Sequence, residues 1–260
     1  MSRLARAFRE TTPPRLIAYT TAGDPDLERS AGVLRALARG GADVIEVGVP
    51  FSDPIADGPA IQRASERALA AGATLEWALD LSGHVRQDLA VPIVLFTYVN
   101  PVLRMGPDAF AARAAAVGVD GVLLLDLPIE ESEGMHELLV RAGLDQIFLV
   151  SPTTTDARLR HAGRLGRGFL YAISRLGVTG ARETMSDRAA PLVERVRAAA
   201  ALPVAVGFGI STPAHVREVA AFADAAVVGS AIVQVVAEAA AAGADVGDRV
   251  ERFVRWLKGG

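Results

Sequence analysis

Eight short apolar runs alternate with longer Ala-, Leu-, Arg- and Glu-rich stretches over 260 residues, with no Ser/Gly/Pro linker between them. That count predicts an α/β fold, a single-domain (β/α)8 TIM barrel spanning 1–260 with extra short helices. The runs fall at 16–20, 43–47, 93–97, 121–125, 146–150, 168–173, 203–206 and 225–228. Each holds four to six β-branched or leucine-rich residues bounded by Gly, Pro, Asp or Ser, the pattern of a parallel strand buried on both faces. A doubly wound open sheet is the alternative, which eight regular units fit less well.

Taken along the chain, a short helix at 2–9 precedes the first strand. Asp24-Pro25 reads as a helix start, a capping side chain before an early proline, leading into a helix over 26–39. After the second strand, a loop punctuated by Pro and Gly leads to a helix over 59–71. Trp77 and the segment 74–88 predict an extra helix before the third strand. Late in the chain, 187–200 reads as a helix and Ser211-Thr212-Pro213 as a second capped start.

Composition narrows the chemistry. Hydrophobic residues make up 51% and charged residues 22%, with 48 alanines and only 5% aromatics, which suits close helix packing better than an aromatic all-β core. A net charge of −3 carries no footprint for nucleic acid or an anionic membrane. The absence of Cys removes thiolate nucleophiles, disulfides and Cys-based metal sites. His84, His136, His161 and His215 show no H-x-x-x-H pairing, which argues against a His-rich metal centre. The first ten residues lack the apolar segment of a signal peptide, and no apolar run approaches about 18 residues. The expectation is a soluble, cytoplasmic protein.

A barrel works at the C-terminal ends of its strands. Glu46 interrupts the otherwise apolar second strand; a carboxylate pointing into a barrel is desolvated, which raises its pKa toward the range useful for proton transfer. A structural carboxylate paired at the edge of a barrel layer is the alternative role. Asp53 and Asp57 follow in the loop, where aspartates also cap helices and hold turns. Two carboxylates at one barrel mouth can divide acid and base work. Glycine-bearing turns at 177–180, 207–211 and 229–230 expose backbone N–H groups, the last two after the seventh and eighth strands, where barrels bind phosphate. Tight-turn punctuation is the other use of such glycines. The residues alone therefore point to carboxylate chemistry on a small phosphorylated molecule.

The run from Glu46 through Gly58 to Gln62 resembles the signature of the tryptophan synthase α subunit family. Thr21-Ala22-Gly23-Asp24-Pro25, Asp126-Leu127-Pro128, Ser174 to Ala181, Gly207 to Ser211 and Gly229 to Val233 match in the family's order. The resemblance implies retro-aldol cleavage of indole-3-glycerol phosphate to indole and glyceraldehyde 3-phosphate, a lyase reaction of L-tryptophan biosynthesis. By motif position, Glu46 matches the general acid/base, Asp57 the carboxylate facing the indole N–H, and Tyr171 the tyrosine beside the catalytic Glu. Tyr19, Tyr98 and Leu123 match positions lining the indole pocket, Thr179 one on the loop after the sixth strand, and Gly180, Gly209, Gly229 and Ser230 the phosphate turns. For Tyr19, Tyr98 and Leu123, core packing is the competing role.

The same resemblance implies no cofactor in this chain and a pyridoxal-phosphate β subunit as partner in an αββα assembly, with Pro50, Asp53 and Asn100 at or near that interface. Ala18 and Leu125 depart from the family pattern, the latter close to the indole pocket. A free-standing indole-releasing lyase and a mainly regulatory binding subunit are the alternative functions.

Overall fold

The structure of the chain, a computed structural model, describes residues 1–173, 185–207 and 209–259, with only the backbone of 185–188. Helix α1 (Arg3–Glu10) leads into β1 (Leu16–Thr21), α2 (Leu27–Arg39) and β2 (Val44–Gly48). Helices α3 (Pro59–Ala70) and α4 (Leu75–Arg86) precede β3 (Ile93–Thr97); α5 (Val99–Met105) and α6 (Pro107–Ala116) precede β4 (Gly121–Leu124). A 3-10 turn, Ile129–Glu131, and α7 (Glu133–Arg141) lead to β5 (Asp145–Val150), then α8 (Asp156–Leu165) to β6 (Leu170–Ile173). The chain closes with α9 (Met185–Ala199), β7 (Val204–Gly207), α10 (Pro213–Ala220), β8 (Ala225–Val228), α11 (Ser230–Ala241) and α12 (Val246–Leu257).

The eight strands pair in sequence order, all parallel, and β8 pairs with β1, so the sheet is a closed barrel rather than an open doubly wound sheet. Side chains alternate across each strand. On β1, Ile17 and Tyr19 enter the barrel while Leu16 and Ala18 pack against the helices. The interior is filled by Ile17, Val44, Val94, Leu123, Ile147, Tyr171 and Ala205, and Leu4 and Phe8 of α1 plug it from below. Gly121 and Gly168 make room for that plug: a Cβ on either would lie 2.8 or 3.2 Å from Leu4 Cδ1.

The strand N-termini are tied by a repeated device. Asp43, Asp120 and Asp224, each just before an even-numbered strand, accept the first N–H of the preceding odd strand. The bonds run from Leu16 at 2.7 Å, Ile93 at 2.8 Å and Val204 at 2.8 Å. Each of the three also meets a cation. Asp43 pairs with Lys258, the chain's one lysine, at 2.7 Å, Asp120 with Arg86 at 3.0 Å and with Arg3, and Asp224 with Arg197 at 3.2 Å.

Two sequence expectations need correction. Helix α2 is capped by Asp26, whose carboxylate accepts the Arg29 N–H at 2.9 Å, and not by Asp24. Asp24 is fully buried and instead receives two bonds from Arg67 on α3, at 2.8 and 3.1 Å, joining the loop after β1 to that helix. The sixth strand starts at Leu170 rather than at 168, because Gly168 takes φ +74°, outside the extended region. The other capped start holds: Thr212 accepts the His215 N–H and Pro213 opens α10. Thr74 likewise caps the extra helix α4.

Candidate active site

Glu46 stands in the middle of β2, between Val44 and Gly48 on the inner face. It is 1% exposed, and neither carboxylate oxygen has a hydrogen-bond partner among the described residues. Burial alone pushes its pKa up to about 8. A structural carboxylate would be paired, because an unpaired buried charge costs several kcal/mol. The structural alternative raised by the sequence therefore finds no partner here.

Asp57 sits at the end of the loop that follows β2, immediately before Gly58, the N-cap of α3. Burial raises its pKa to about 6, against the pull of a hydrogen bond from the Tyr98 hydroxyl at 3.2 Å. Tyr98 organises this loop at both ends. Its hydroxyl also accepts the Ala56 N–H at 3.1 Å, and Phe51 stacks on its ring with centroids 4.8 Å apart. Gln62 of α3 donates to the Asp57 carbonyl at 2.9 Å, fixing the loop to the helix. Asp57 thus keeps a lower pKa than Glu46, so that near neutral pH one carboxyl of the pair is protonated while the other is ionised.

Tyr19 and Tyr171 reach into the barrel from β1 and β6, 5% and 8% exposed. Burial, together with the nearby carboxylates, holds both phenols far above their ordinary range, so both are protonated donors. Their hydroxyls rise into spaces left by glycines on the next strand. A Cβ built on Gly48 would lie 2.1 Å from the Tyr19 hydroxyl, and one on Gly207 2.2 Å from that of Tyr171. Tyr19 also meets the Phe96 ring edge-on at 5.3 Å. Leu123, inward on β4, is fully buried in the barrel interior.

After β8, against Tyr19, Gly229 is the N-cap of α11 without a side-chain capping bond, and Ser230 is the first helical residue. The first turn carries no acidic side chain to offset the positive end of the helix dipole. Gly209, after β7, takes φ +75°, a conformation that favours glycine. Thr179 and Gly180 lie outside the described residues.

Pro50 is buried at the root of the β2 loop, whereas Asp53 and Asn100 are exposed. Beside them, Ile55 on the loop and Leu103 on α5 are 86% and 56% exposed, large apolar side chains left in solvent. Sequence reading gave no role to Phe51, Ile55, Leu103 or Gly48, and took Gly207 only as part of a phosphate turn. For Gly48 a signal existed: it falls two residues after Glu46, on the same face of the same strand. Among the described residues no cluster of His, Asp and Glu has the geometry to hold a metal, and no helix is long and apolar enough to cross a membrane.

Sequence and fold both match those of a known family. The family described as tryptophan synthase alpha chain matches residues 6–259. The alpha chain of Solibacter usitatus is 50% identical over 263 aligned residues, covering 100% of this chain and 98% of the relative. That of Geobacter sulfurreducens is 49% identical, covering 99% and 98%. Among solved structures, the alpha subunit from Legionella pneumophila superposes with a TM-score of 0.92 at 35% identity, covering 100% and 98%. A chain of the tryptophan synthase a2b2 complex from Pyrococcus furiosus does so with 0.88 at 40% identity, covering 95% and 98%. The chain belongs to the tryptophan synthase alpha chain family.

Proposed function

We propose that this chain is the lyase that cleaves indole-3-glycerol phosphate to indole and glyceraldehyde 3-phosphate, acting as the α subunit of tryptophan synthase in the cytoplasm. The observation that carries the reading is Glu46, a buried carboxyl without a hydrogen-bond partner among the described residues, set in one mouth with the lower-pKa Asp57.

Between about pH 6 and about pH 8, Glu46 holds its proton while Asp57 is ionised. Glu46 delivers that proton to indole C3 as the ring nitrogen's lone pair feeds into the ring. Asp57 stabilises the positive charge that develops on the indole N–H. The Glu46 carboxylate then takes the proton of the glycerol hydroxyl next to the bond that breaks. The C–C electrons return to the indole, and glyceraldehyde 3-phosphate leaves. The net change is one proton moved from hydroxyl to carbon, so the acid is regenerated and the step requires no cofactor in this chain. Tyr171 stands beside Glu46 as the third catalytic side chain, and Tyr19, Tyr98, Leu123 and Thr179 serve as pocket walls. The N–H groups at Gly180, Gly209, Gly229 and Ser230 receive the phosphate.

A β subunit with pyridoxal phosphate is the partner that consumes the indole, in an αββα assembly. Exposed Ile55 and Leu103 beside Pro50, Asp53 and Asn100 supply the apolar face that such a partner covers. The test is indole release from indole-3-glycerol phosphate by the purified chain, followed from pH 5 to 10. A bell-shaped kcat/KM is expected, falling below about pH 6 as Asp57 takes a proton and above about pH 8 as Glu46 loses one. Addition of a β subunit is expected to raise the rate. No indole at any pH, with or without that subunit, overturns the proposal.

A further inference from the structure

Tyr19 and Glu46 are direct register partners on β1 and β2, as Thr21 and Gly48 are one layer above. A phenol beside a buried carboxyl is its natural hydrogen-bond donor, yet Glu46 has no partner among the described residues. The reason is steric. The end of the Tyr19 ring occupies the place of the missing Gly48 side chain: a Cβ there would lie 2.1 Å from the hydroxyl, 2.5 Å from Cζ and 2.7 Å from Cε2. No residue with a side chain tolerates that approach without moving the ring. The parked hydroxyl meets Thr21 Oγ1 at 3.3 Å, and Phe96 braces the ring edge.

We propose that Gly48 is a positioning residue for the lyase reaction: its missing side chain parks the Tyr19 phenol one layer above Glu46 and so denies that carboxyl a hydrogen-bond donor. The inference rests on Glu46 as the proton-transfer group. A phenol that reached Glu46 would bond most strongly to the ionised carboxylate and favour it. Glu46 would then lose, near neutral pH, the proton it must give to C3. Among the described residues, the titratable groups that meet Glu46 electrostatically are Tyr19 from β1 and Tyr171 from β6, and Asp57 of the β2 loop acts on the same two phenols. Tyr171 has its own gap at Gly207, so displacement of Tyr19 is what brings a donor to the carboxyl from the β1 side.

The experiment compares the pH dependence of kcat/KM for indole release in the full chain, Gly48→Ala, and Gly48→Ala combined with Tyr19→Phe. In Gly48→Ala the basic limb is expected to move down by about one pH unit, with about a tenfold loss of rate at the optimum. In the double variant the ring is still displaced, because Cζ and Cε2 still clash, but no hydroxyl remains. Its rate stays low while the basic limb returns to the position of the unaltered chain. An unmoved limb in Gly48→Ala, or an equal displacement in both variants, overturns the proposal. Where Gly48→Ala does not fold, Tyr19→Phe alone decides: its basic limb stays at the position of the unaltered chain, because the parked hydroxyl gives Glu46 no hydrogen bond, and a limb displaced upward overturns the proposal. A profile of the unaltered chain with no basic limb near pH 8 instead overturns the role given to Glu46.

Discussion

The two ends of the barrel treat carboxylates in opposite ways. At the strand N-termini, Asp43, Asp120 and Asp224 each accept a strand N–H and face at least one cation, and Asp145 accepts the Ser2 hydroxyl. At the strand C-termini, Glu46 is as deeply buried as any of these and has no partner among the described residues. Carboxylates with donors in reach hold the strands in register. An unsatisfied one keeps its proton at neutral pH and has it available to give away. Burial alone therefore assigns no role to a carboxylate; the donors within reach of it do.

The largest expected effect attacks the C-terminal end. Glu46→Gln removes the transferable proton, and indole release should fall about 10³-fold with ligand binding retained. The same variant should be the more stable protein at high pH. The folded Glu46 titrates near 8 and the unfolded one near 4.5, so between those values unfolding releases a proton. The stability of the unaltered chain therefore falls as pH rises through that window, and glutamine escapes the loss. The advantage should be small near pH 5 and reach a few kcal/mol by pH 9, read from denaturant melts at both pH values. Substantial indole formation by Glu46→Gln, or equal stability at both pH values, would break the comparison at this end.

At the other end, Asp120→Ala strands the Ile93 N–H, Arg86 and Arg3 together. It should cost about 3 kcal/mol of stability while leaving kcat unchanged in the protein that remains folded. Loss of kcat without loss of stability would erase the division of labour. The smallest effect calibrates both: Arg113→Ala removes an ion pair to Asp80 at 2.7 Å in which both side chains are well exposed. It should shift stability by less than about 1 kcal/mol, and less still in high salt.

Much of this was legible in order of residues alone. Each of the eight apolar runs coincides with a strand, because a strand buried on both faces must be apolar throughout and short. Their ends were less legible. Gly168 lies in a run that reads as strand, but its positive φ delays the strand to Leu170. Asp24 and Asp26 are equivalent caps by type, and the choice between them was made by Arg67, 43 residues away from Asp24, which claims Asp24 for a buried pair. In the site, Glu46 stood out because a charged residue interrupts an apolar strand. Tyr98 showed only as an aromatic position, since its bonds to Ala56 and Asp57 depend on how the β2 loop folds back across β3.

By itself, then, the order of residues determined the alternation of strand and helix, the barrel that eight such units close, the carboxylate in the second strand and the glycine turns after the late strands. Those are local properties, set by side-chain period and backbone freedom within a few residues. The tertiary structure alone decided which carboxylates are satisfied and which is left bare, that two phenols rise into glycine gaps on neighbouring strands, and that Ile55 and Leu103 remain in solvent. Whether a buried group finds a donor depends on atoms brought within about 3 Å by chain closure, and no spacing along one strand encodes what the next strand places there.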